Sequence, residues 1–108
     1  AECSDGIPNH GLFKEILTSR KSPSQLLEMI EDPSYNKQDQ WQVQIQAQIQ
    51  KTTDIYLKSD YLSKDEIYQA HLIPVENIET TINNLMSKYG GNPSICVLPE
   101  GPQTIPYI

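Results

Sequence analysis

From Trp41 to Gln50 every second residue is glutamine, and the residues between are Trp41, Val43, Ile45, Ala47 and Ile49. Such alternation is the pattern of a half-buried strand. The same residues also set Trp41, Ile45 and Ile49 at i, i+4 and i+8 on one face of a helix, with Val43 and Ala47 as a second flank. As a strand the segment would be a long uncharged edge, apolar on one side and free of Pro and Gly, which invites edge-to-edge aggregation. Glutamine and alanine favour helix, and Asp39 stands where a cap is needed. Connectivity decides between the two: a parallel neighbour for a strand at 55–57 requires a helix immediately before it. The expectation is a helix over 40–51.

The rest of the chain repeats one helix-start signature. Ser22-Pro23-Ser24-Gln25, Asp39-Gln40-Trp41-Gln42 and Ser63-Lys64-Asp65-Glu66 each set an oxygen-bearing cap three residues before Gln or Glu. A further helix is expected over 75–89, where Ile78, Ile82, Leu85, Met86 and Tyr89 share a stripe and Gly90-Gly91 ends it. The stripe reads as core. Short apolar runs bounded by breakers, Ile55-Tyr56-Leu57 and Ile95-Cys96-Val97-Leu98 with a weaker His71-Leu72-Ile73, are the strand candidates. Ala1-Glu2-Cys3, running into Ser4-Asp5-Gly6, reads as the end of another strand. Strands alternating with helices give an α/β fold, a small parallel, Rossmann-like sheet flanked by helices.

That fold brings one end of the 40–51 helix to the chemistry. A helix preceding a parallel strand runs antiparallel to it, so Asp39-Gln40-Trp41 lies at the carboxyl edge of the sheet. The loops Cys3-Ser4-Asp5-Gly6, Lys58-Ser59-Asp60 and Pro99-Glu100-Gly101-Pro102 open on that edge, where ligands of open α/β sheets bind. Trp41 there is either a ligand wall or a core residue.

Composition narrows the partners. A chain of 108 residues, 37% hydrophobic, suits one domain with a modest core. No apolar run is long enough to span a bilayer and no charged-then-apolar leader opens the chain, so a soluble, cytoplasmic protein is expected. Fourteen acidic against eight basic residues leave a charge of −6, which argues against nucleic acid as partner. Cys3 and Cys96 lie far apart without a CxxC pair or metal-ligand spacing, and read as buried, reduced thiols at strand ends.

ECSDGI, then PSYNKQDQWQVQ, YLKSDYLS and VLPEGPQTIPY, in that order over nearly the whole chain, resemble the C-terminal domain of nickel-dependent lactate racemases. DQW and VLPEGP carry the likeness most specifically. The resemblance implies residues 1–108 as one domain cut from a two-domain isomerase with its active site in the cleft between domains. It implies a small 2-hydroxy acid as substrate and a nickel-pincer nucleotide as the cofactor that accepts and returns its hydride. The nickel ligands, the cofactor-bearing lysine and the acid/base histidines would belong to the N-terminal domain, which is the implied partner. This chain alone would then hold neither a catalytic residue nor a metal ligand, and would be inactive. By transfer, Trp41 lines the substrate pocket with Gln40 beside it. His10 reads as a solvent-facing turn residue, His71 as a satisfied edge residue, and Asp5 and Glu100 as loop hydrogen-bonding groups. A non-catalytic α/β binding or interaction module that keeps the fold is the alternative.

Overall fold

A computed structural model describes residues 3–90 and 92–100, which fall into two compact units, 1–78 and 79–108. In the first unit the chain runs through α1 (Phe13–Leu17), α2 (Pro23–Ile30), α3 (Gln40–Gln50), β1 (Tyr56–Leu57), α4 (Lys64–Gln69) and β2 (Ile73–Pro74). The second unit carries α5 (Ile78–Tyr89).

Local chemistry accounts for the starts of α2 and α4. Ser22 accepts the Gln25 N–H and Pro23 opens α2, where its missing N–H costs nothing. At α4 the capping box is complete: Ser63 Oγ accepts the Glu66 N–H at 3.2 Å, and Glu66 Oε2 accepts the Ser63 N–H at 2.9 Å. These bonds hold the Glu66 carboxyl below the ordinary range. At its far end α4 closes in a Schellman turn. Leu72 donates its N–H to Ile67 O and His71 donates to Tyr68 O, with His71 in the left-handed region at φ 59.

The core is helical. Ile16 and Leu17 of α1, Leu26, Leu27 and Ile30 of α2, and Val43 and Ala47 of α3 are buried together with Ile7 and Ala70. Leu17, Leu26 and Val43 are the bulkiest of the fully enclosed side chains. At about 1.5–3 kcal/mol for each large aliphatic side chain removed from water, this cluster is the main favourable term.

β1 and β2 pair in parallel, Tyr56 opposite Ile73 and Leu57 opposite Pro74. Ile73 N–H donates to Ile55 O and Val75 N–H to Leu57 O, both at 2.9 Å. Parallel pairing across a helix, the basis of the α/β expectation, is present, but among the described residues the sheet has two strands of two residues each. The stretch 95–98, expected as a strand, pairs with nothing among them, and Ile95, Val97 and Leu98 are exposed. An apolar run becomes a strand only where a neighbouring edge takes its hydrogen bonds. The start of the weaker strand also shifts, from His71 to Ile73, because His71 and Leu72 are spent on closing α4.

The helix expected over 40–51 is α3, with the opposite face buried from the one weighted in the sequence. Val43 and Ala47 point into the core, while Trp41, Ile45 and Ile49 are 59%, 51% and 49% exposed. Small side chains let α3 approach α1 and α2 closely, and the bulky stripe is left outside. α5 starts at Ile78 rather than at 75, and its stripe is not core: none of its residues is buried, and Ile78, Ile82 and Tyr89 are exposed. Gly90, at φ 88, ends it. Gly91 and Ala1-Glu2 lie outside the described residues, as does everything after Glu100. Both thiols are free as expected, but Cys3 is only half-buried and Cys96 is exposed, and neither ends a strand among the described residues.

Candidate functional site

The start of α3 is where the sequence places its site, and the local structure there is unusual. Asp39 occupies the cap position of α3 in the left-handed conformation, φ 67 and ψ 0, and its side chain makes no capping bond to that helix. The capping box expected at 39–42 is therefore not formed. Asp39 Oδ2 instead accepts the Leu12 N–H at 3.0 Å. Leu12 is the residue from which α1 starts, so the carboxylate serves the N-terminus of another helix, where a negative charge is favoured.

Gly11 makes this contact sterically feasible. It sits at φ 72, and a Cβ built there would overlap Asp39 Oδ2. The backbone angle favours glycine, and a side chain there would also push the Asp39 carboxylate away from Leu12.

Gln40 does not replace the cap that Asp39 gives up but ties down the preceding turn. Its Oε1 accepts the Lys37 N–H at 2.7 Å, which folds the side chain back onto the turn entering the helix. Trp41, in the first turn, has no such partner: among the described residues its indole N–H donates to no group of the protein. An exposed tryptophan with a free N–H is a flat apolar plate with one directional donor. The alternative of Trp41 as a core residue is overturned by its exposure.

His10 directly precedes Gly11, is exposed, and lies in a bend, as expected of a turn residue. Asp5 is exposed on the same loop. Glu100 belongs to the other unit. His71 is tied, as expected of a satisfied edge residue. Its Nε2 lies 3.1 Å from Leu17 O, so that nitrogen carries the proton, and burial pushes its pKa down against the opposing effect of this bond.

The glutamines contribute what sequence reasoning missed. Gln46 Nε2 donates to Ala70 O at 3.1 Å, and Gln50 Nε2 donates to Ala70 O at 3.1 Å and His71 O at 2.8 Å. They satisfy carbonyls left open at the end of α4. Two of the five glutamines of the alternation, Gln46 and Gln50, thus form a hydrogen-bonding face toward the end of α4. The i, i+4 spacing of Gln46 and Gln50 was the available signal, but the carbonyls they meet are more than fifteen residues further on.

Other concavities lie away from these residues. An open polar groove of about 620 Å³ is lined by Arg20, Glu28, Asp32 and Tyr35. A more apolar one of about 230 Å³ lies between α5 and the segment after it. Neither contains a residue expected from the sequence to bind substrate. Among the described residues no three His, Cys, Asp or Glu side chains gather as a metal ion requires. No helix among them is long and apolar enough to cross a membrane.

Against known proteins, the family model described as the lactate racemase C-terminal domain matches residues 1–105. No curated protein matches the chain.

Proposed function

The chain belongs to the lactate racemase C-terminal domain family, and from that premise we propose that it forms the substrate-covering wall of a two-domain 2-hydroxy-acid racemase or epimerase. In this reading the parallel β1/β2 pair is part of a larger, Rossmann-like sheet. The nickel-pincer nucleotide and the acid/base histidines fall to the N-terminal domain, and the 108-residue chain is inactive alone.

The observation that carries the reading is Trp41: 59% exposed, in the first turn of α3, with an indole N–H that no described residue uses. A plate in that position closes over a small hydroxy acid, excludes water from the reacting carbon and donates one hydrogen bond to a carboxylate or hydroxyl oxygen. Gln40, whose Oε1 is bound to the Lys37 N–H, retains its Nε2 as a second donor beside the ring.

The test is Trp41→Ala in the two-domain enzyme, measuring kinetics and melting together. Turnover or substrate affinity should fall by about tenfold or more, while stability, for a side chain so exposed, moves by only about 0.5 kcal/mol. Unchanged activity would remove Trp41 from the pocket. That outcome would favour the runner-up, a non-catalytic interaction module docking through the apolar stripe that Trp41 shares with Ile45 and Ile49.

A further inference from the structure

Three unfavourable features meet within a few ångströms at the start of α3. Asp39 is held in a left-handed conformation, which aspartate enters only occasionally and then as a single residue. Its side chain forgoes the capping bond an aspartate at that position ordinarily makes. Its Oδ2 occupies the space of a Gly11 side chain, so a side chain there would displace the carboxylate as well as strain the backbone at φ 72. In return there is one bond, from the Leu12 N–H to Asp39 Oδ2. If the fold needed only a helix at 40–50, a right-handed approach with a conventional cap would provide it without strain. Such outliers persist where the surroundings fix a geometry that something else uses. Next along the chain come Gln40, whose Nε2 is unspent, and Trp41.

We infer that Asp39 is a positioning residue: its clasp on Gly11 and Leu12 locks the entry to α3 and so sets the direction in which the Trp41 ring projects. This rests on the proposed role of Trp41 over the substrate and adds the device that holds it there. The clasp spans 27 residues of sequence, from the start of α1 to the start of α3. Both helices are anchored in the core by Ile16, Leu17, Val43 and Ala47. With both ends packed, the Leu12 to Asp39 bond constrains the short segment between Asp39 and the first buried residue of α3, which is where Gln40 and Trp41 lie.

Trp41 is the chain's only tryptophan, so its fluorescence and indole resonance report on this site alone. In the 108-residue protein, Asp39→Ala should lower the steady-state anisotropy of Trp41 and shift its indole N–H resonance. Backbone shifts over 43–50 should stay helical, because no cap bond is lost. Gly11→Ala should do the same by forcing the carboxylate away. Asp39→Asn should restore the wild-type signal, since its amide oxygen still accepts from Leu12 and asparagine tolerates the left-handed region. In the two-domain enzyme Asp39→Ala should reduce activity and Asp39→Asn should recover it.

In the wild-type protein itself the Leu12 amide should exchange at least about tenfold more slowly than an unprotected amide. That measurement stands even if Gly11→Ala does not fold. A freely exchanging Leu12, or an unchanged Trp41 signal in Asp39→Ala with only stability reduced, would overturn the inference. If Asp39→Ala moves the Trp41 signal but Trp41→Ala leaves enzyme activity intact, the substrate reading falls and the clasp remains.

Discussion

α5 carries the cleaner amphipathic stripe of the two longest helices and buries none of it, whereas α3, whose apolar positions fit two readings, supplies Val43 and Ala47 to the middle of the core. Periodicity reports which side chains share a face. Whether the face is covered depends on what the chain brings to it. α3 is met by α1 and α2, whose Leu17 and Leu26 are buried in one core cluster with Val43. It is met there on its small side chains because these allow close approach. The same helix presents Trp41, Ile45 and Ile49 outward, so within eleven residues it holds both a packed face and a bare one.

The sharpest way to break this contrast is to truncate one side chain on each side of it. Leu26→Ala, at a fully enclosed position against α3, should cost about 2–5 kcal/mol, enough to unfold a small domain at moderate denaturant. Ile82→Ala, on the exposed stripe of α5, should cost no more than about 0.5 kcal/mol. Denaturant titration of both variants reads the difference. Equal losses would mean that the α5 stripe is covered in solution and that the contrast between the helices is not real.

The features legible in the sequence are those whose physics is local. Ser63 and Glu66 complete a capping box within three residues, and Ser22 caps α2 beside Pro23. The helix at 40–50 was expected as the crossover into β1 and is present, but among the described residues no strand precedes it, and the parallel pair of Tyr56–Leu57 with Ile73–Pro74 is bridged by α4 instead. The illegible features are those that depend on a distant partner. Asp39 had the sequence of a cap for its own helix, and only folding shows that Leu12, 27 residues earlier, has the stronger claim. Ile95 to Leu98 had the composition of a strand without an edge to join among the described residues. At the candidate site, the place of Trp41 at the first turn of α3 was readable; the clasp beside it was not.

The glutamines sharpen the comparison within α3 itself. Gln50 faces α4 and donates to two carbonyls, whereas Gln48, two residues earlier, is exposed. Gln50→Ala removes both bonds and leaves the Ala70 and His71 carbonyls with fewer donors, at a cost of about 1–3 kcal/mol. Gln48→Ala should be close to neutral, helped slightly by the higher helix propensity of alanine. A thermal melt of each variant distinguishes them. If both are neutral, water replaces the Gln50 amide without penalty and the second face of α3 is only a solvated one.

The smallest effect expected is that of pH, and it acts through His71. The imidazole is partly buried, and burial lowers its pKa below the ordinary 6.5, opposed by its bond to Leu17 O. The folded chain therefore binds the proton less readily than the unfolded chain does. Above 6.5 the ring is neutral in both states and the full stability is present. As pH falls through that value, the unfolded chain takes up the proton first and stability declines, until the folded ring is protonated as well. Carboxylates such as Glu66, held below their usual range by Ser63, act in a separate and more acidic window. The melting temperature should thus decline modestly from about pH 8 to about pH 5, and His71→Asn should flatten that decline. Asparagine accepts the left-handed angle at position 71 and does not titrate, so the variant removes the proton linkage while keeping the turn that ends α4. An identical slope in both proteins would mean that His71 remains solvated enough to titrate as it does in the unfolded chain, and that its bond to Leu17 is not maintained in solution.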